Sequence, residues 1–153
     1  MKAKKTGGRA NRPPVHSVYG LSAPEKPTGF VVADPKGYFI LVQRPAAGGR
    51  LKEEFEDAKE PCPIEEYLDD FKDTNGGLKC CDLFLHKSVE NQNMWEVSNG
   101  LTGLRVSTEP LRNRKDAAQS ALERVITKGS QAFWDAIHHH IARTGVTQRY
   151  RKE

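Results

Sequence analysis

The chain has 153 residues, 37% of them hydrophobic and 29% charged, with a formal net charge of +4. This length and apolar share suit one modest domain with a single core. They exclude a membrane-spanning helix, because no apolar run approaches about 18 residues, and no collagen, heptad or solenoid period is present.

The net charge hides an uneven distribution. Residues 1–50 hold nine Lys/Arg and two acids, a balance of +7, whereas residues 51–73 hold three and ten, a balance of −7. Residues 74–110 balance at −1 and residues 111–153 at +5. Two basic ends therefore flank an acidic middle. A basic surface attracts phosphates by releasing their counterions, and an acidic one attracts basic partners. No apolar stretch follows the basic opening, so no secretory leader is expected. Cys62, Cys80 and Cys81 are odd in number and lack CxxC spacing. No disulfide framework or zinc knuckle is expected, and a reducing cytoplasm is the simplest location.

Residues 1–14 are basic, small and Pro-terminated, and read as a disordered arm. Residues 15–145 read as one α+β domain and 146–153 as a frayed basic tail. Val15–Tyr19 suits a short edge strand. Phe30–Asp34 and Tyr38–Arg44 read as a strand pair joined by Asp34-Pro35-Lys36-Gly37, whose Pro and Gly suit a turn. Pro45–Arg50 reads as a flexible loop. Leu51, Phe55 and Ala58 fall at i, i+4, i+7 and suggest a helix over 51–60. Ile64, Tyr67, Leu68 and Phe71 suggest a second helix starting near Pro63. Leu78–His86, Met94–Ser98 and Gly103–Thr108 read as strands, with Asn99-Gly100 as a tight reversal. Asn113 is a helix N-cap, and Ala117, Ala118, Ala121, Leu122 and Val125 form the apolar face of the helix that follows, which Gly129 stops. A last helix, 131–143, capped by Ser130, carries Phe133, Trp134, Ile137 and Ile141 on one face. The expected fold is thus α+β: a mostly antiparallel sheet of about five strands, packed by a central acidic helical segment and two C-terminal helices.

Candidate chemistry is sparse. His138, His139 and His140 point about 100° apart on a helix and do not converge on one metal. Only Asp135 and His139 share a helical face. A cysteine nucleophile would need His16 or His86 brought to it by the fold. The glycine pairs form no Walker or dinucleotide motif. No catalytic residue, cofactor or metal site is expected, and enzymatic activity is not.

The basic ends carry the main functional signal. Lys2, Lys4, Lys5, Arg9 and Arg12 alternate with small residues. At the other end Arg143, Arg149, Arg151 and Lys152 surround Tyr150, a ring on which bases can stack. The opening KAKKTGGRANRP resembles basic leaders of small phage and mobile-element DNA-handling proteins. The helix 114–128 shows acids and polar groups opposite its apolar face, so it makes a poor recognition helix. The leading expectation is a non-enzymatic accessory or regulatory protein that binds nucleic acid through its basic termini, with little sequence specificity. The alternative is a protein-binding inhibitor or adaptor of a phage or mobile element. It would set Glu53, Glu54, Asp57, Glu65, Glu66, Asp69 and Asp70, on an acidic helical face spanning 51–73, against a basic nucleic-acid-binding surface. No membrane partner is expected, and a homodimer is left open.

Overall fold

The computed structural model describes residues 29–67, 82–107 and 109–153. The expected arm 1–14, the edge strand 15–19, residues 68–81 and Thr108 lie outside the described residues. The fold is α+β, with antiparallel sheets. In chain order the elements are β1 (Phe30–Val32), β2 (Phe39–Pro45), a 3-10 turn (Ala47–Gly49), β3 (Leu51–Asp57), β4 (Cys62–Pro63) and a second 3-10 turn (Ile64–Tyr67). Then follow β5 (Leu83–Lys87), β6 (Trp95–Asn99), α1 (Arg114–Lys128), α2 (Ser130–Thr144) and β7 (Tyr150–Lys152). The strands form three small sheets, β1-β7, β2-β3 and β4-β5-β6, in place of the single sheet of about five strands that was expected.

The core lies between the three-stranded sheet and the two helices. Alternation along β5 and β6 puts Leu83, Leu85, Trp95 and Val97 on the helix side, where they pack on Ala117, Ala118, Ala121, Leu122 and Val125 of α1. The three alanines keep α1 close to the sheet. Phe133, Trp134 and Ile137 of α2 close the cluster. Each large side chain buried there contributes about 1.5–3 kcal/mol. The α1 start is as expected, since the Asn113 side chain accepts from the Asp116 backbone N–H at 3.1 Å. Gly129 both ends α1 and precedes α2, with φ 88°. Ser130 is the first residue of α2, not its cap.

The segment 51–57 corrects the expected helix, because it is a strand. It pairs antiparallel with β2 in seven residue pairs, from Phe39↔Asp57 to Pro45↔Leu51. Gly48 and Gly49 adopt φ 79° and 74°, so the chain reverses at once and delivers β3 alongside β2. Pairing to an adjacent strand outweighs the helix preference of Glu and Lys. Of the second expected helix, the described part is the single turn Ile64–Tyr67.

The turn 34–37 forms, with Gly37 N–H donating to Asp34 O at 3.0 Å, but its flanking strands do not pair with each other. β1 pairs instead with β7, Phe30 opposite Lys152 and Val32 opposite Tyr150. The expected frayed tail is therefore a strand that follows buried Thr147 and Arg149. Residues 103–107 make only an isolated bridge, Ser98↔Arg105, and no full strand. The reversal after β6 is set by Asn99, whose Oδ1 accepts from Thr102 N–H and Oγ1, both at 2.9 Å.

Candidate functional site

The second face of the β4-β5-β6 sheet carries Phe84, His86, Glu96 and Ser98. Tyr38, just before β2, packs on it, its ring 4.7 Å from Phe84. Between β2 and this sheet lies a cleft of about 460 Å³, lined by residues 40–44 of β2 together with His86, Val89, Glu90, Glu96, Ser98, Gly103 and Arg105. On its floor His86 Nδ1 lies 2.9 Å from the Lys87 carbonyl and Nε2 lies 2.8 Å from Ser98 Oγ. A carbonyl only accepts, so Nδ1 carries the proton and Nε2 accepts from the serine hydroxyl. Burial pushes the His86 pKa down, which keeps the ring neutral. Glu96 beside it is held by Arg105 at 2.8 Å. The donor order matches a serine activated by a base. Yet His86 and Ser98 are only 2% and 1% exposed, so they bond to each other across the sheet and satisfy two buried polar groups.

The other reactive side chains stay apart. His138 and His139 are exposed, and Asp135 accepts from Gln131 at 2.8 Å. His140 is buried, with Arg143 Nη2 3.2 Å from its Nδ1 and no partner for its Nε2. Among the described residues, no group of three or more His, Cys, Asp or Glu could hold a metal. Burial and a hydrogen bond with Glu66 raise the Cys62 thiol to about 11, so it is not a thiolate at neutral pH. Cys80 and Cys81 lie outside the described residues.

The basic residues divide into two kinds. Arg149, expected to contact phosphate, is 7% exposed and turned inward. Its Nε donates to Asp82 Oδ2 at 2.8 Å, Nη2 to Oδ1 at 3.2 Å, and Nη1 to the Pro35 carbonyl at 2.7 Å. Its guanidinium lies 4.1 Å over the Tyr38 ring. Tyr150 is likewise committed, its hydroxyl donating to Asp82 Oδ2 at 2.7 Å, and burial raises its pKa. These two residues thus tie the C-terminal strand to Asp82. Arg143, Arg151 and Lys152 are exposed. Lys2, Lys4, Lys5, Arg9 and Arg12 lie outside the described residues.

The β1-β7 ribbon brings Gly29 and Glu153 together. Glu153 N–H donates to the Gly29 carbonyl at 2.8 Å, so the chain leaves β7 where it enters β1. The acidic set is not a helical face. Glu53, Glu54 and Asp57 are on β3, Glu65 and Glu66 on the 3-10 turn, and Asp69 and Asp70 outside the described residues. Sequence reasoning also passed over the end of the β2-β3 hairpin, where Arg44, Arg50 and Lys52 collect. The Gly48-Gly49 pair between Arg44 and Arg50 was the available signal of a reversal.

No family model matches the chain, and no curated protein or solved structure matches it either. No helix among the described residues is long and apolar enough to cross a membrane.

Proposed function

We propose that this chain is a non-enzymatic accessory protein that binds nucleic acid through its two basic ends. The observation that carries the reading is the pairing of β1 with β7. The segment bearing Lys2, Lys4, Lys5, Arg9 and Arg12 precedes β1 in the sequence, and β7, paired with β1, exposes Arg151 and Lys152. In this reading, cations from opposite ends of the sequence serve one phosphate backbone. Such contacts position a protein without reading bases, so low sequence specificity follows.

The test is binding of the full chain to labelled duplex and single-stranded DNA across a salt series. Removal of residues 1–14 combined with Arg151→Glu and Lys152→Glu is expected to weaken binding at least tenfold and to flatten the salt dependence, by about 0.9 in slope per lost duplex phosphate contact. Unchanged affinity and slope in that variant would overturn the reading.

A further inference from the structure

The β2-β3 hairpin carries a charge pattern of its own, which rests on the nucleic-acid reading and sharpens it. Near its closed end Pro45 lies opposite Leu51, and both are exposed. Leu51, at 65%, is the most exposed large apolar side chain among the described residues. Arg44 and Lys52 form the next pair, and Arg50 sits in the turn, all three exposed. The acids of the hairpin, Glu53, Glu54, Glu56 and Asp57, begin only below this level. The tip therefore combines cations with an apolar pair, and of its cations Arg44 reaches back to the Glu56 carboxylate. It is also narrow, since Ala46 N–H donates to Arg50 O at 2.8 Å across the reversal.

A duplex groove has a use for both classes of residue. Its walls are phosphates and its floor is stacked base pairs, against which apolar side chains wedge. We propose that the hairpin tip enters the minor groove of duplex DNA. Arg44, Arg50 and Lys52 contact the flanking phosphates, and Leu51, braced by Pro45, wedges against a base step and bends the duplex. Arg44 is ion-paired with Glu56, but that pair is exposed, so exchanging it for a phosphate costs little. Two paired strands lie about 4.8 Å apart, a ribbon that needs the groove opened, and a wedge opens it.

The test uses the full chain and a duplex of roughly 30 base pairs carrying a fluorescence donor and acceptor at its ends, with binding read separately by anisotropy. The wild type is expected to raise energy transfer as the duplex bends. Leu51→Ser is expected to bind within about threefold of wild type yet lose the rise, because the phosphate contacts remain. Arg50→Glu with Lys52→Glu is expected to weaken binding about tenfold and lower the salt slope by about two. All three residues are exposed, and matched thermal melts check that the variants fold. Bound wild type that leaves the duplex straight overturns the wedge even before any variant is made. Tighter binding to the single strand than to the duplex overturns it too. Hairpin variants that match wild type overturn it while leaving the proposed function standing on the terminal residues. Wild type that binds no DNA ends both.

Discussion

Asp82 and Arg149, 67 residues apart in sequence, meet through two parallel hydrogen bonds, Nε to Oδ2 at 2.8 Å and Nη2 to Oδ1 at 3.2 Å. The same guanidinium reaches the carbonyls of the 34–37 turn, and the Arg149 carbonyl accepts from Ala33 N–H at 2.7 Å. One side chain thereby ties the N-terminal turn, the start of β5 and the C-terminal strand. Asp82 holds a left-handed backbone, φ 48°, which aspartate tolerates better than most residues.

Removing either partner leaves a largely buried charge uncompensated. Asp82→Asn preserves shape and backbone tolerance, and Arg149→Met preserves much of the stem, so both isolate the ion pair. Each is expected to cost about 3–5 kcal/mol in urea unfolding. The double variant should cost clearly less than the sum, because neither charge is then stranded. Losses below about 1 kcal/mol for both single variants would contradict this role.

His86 supplies a pH dependence. Burial first, then Arg105, depresses its pKa below the ordinary 6.5, against the Lys87 carbonyl bond and Glu96, which raise it. The unfolded chain therefore takes up a proton near pH 6.5 that the folded chain still refuses. Stability is full above that pH and is lost as pH falls toward the folded value. His140 adds in the same direction, lowered by burial, Arg143 and His139 against Glu53. Urea midpoints are expected to fall between about pH 7.5 and 5, and His86→Gln to flatten that fall more than His140→Gln. A profile unchanged by His86→Gln would refute the assignment.

Gly103 is where the hairpin meets the body. Its carbonyl accepts from Leu41 N–H at 2.9 Å, its φ is +75°, and a Cβ would stand 2.8 Å from the Leu41 nitrogen. Backbone on both sides leaves nothing flexible to yield. Gly103→Ala is expected to cost about 1–3 kcal/mol and to release the Leu41 amide to hydrogen exchange. Wild-type protection at Leu41 in that variant would count against the contact.

Helix α1, packed against α2, offers a comparison between cap and core. Asn113→Ala removes one exposed bond at the start of α1 and should cost about 1 kcal/mol. Leu122→Ala empties a fully buried position and should cost about 2–5 kcal/mol. Thermal melts of the two variants give the order, and a reversed order would place the core elsewhere.

These helices were legible in the sequence because their signals are local. Asn113, the alanine face and Gly129 lie within one short window. The strand 51–57 was not, since Leu51, Phe55 and Ala58 fit a helical period and its Glu and Lys favour one. What decides the matter is pairing to β2. The β1-β7 ribbon joins residues more than a hundred positions apart, and no local pattern announces it. Arg149 was mistaken for a solvated tail residue because its partners, Asp82 and the 34–37 carbonyls, are equally remote. Val146 and Tyr150 were the faint apolar cue. The His86–Ser98 bond follows from the register of β5 and β6, which becomes readable only when both strands are placed.

The hydrogen bond from Glu153 to Gly29 also makes the described fold a near-closed loop. With residues 1–28 removed, a short glycine linker from Glu153 to Gly29 would complete the ring. Reopening it between Gly48 and Gly49 would place both new termini at the hairpin tip. Among the described residues, such a circular permutant keeps the packing of helices on sheet and the β1-β7 ribbon and opens the turn that joins β2 to β3.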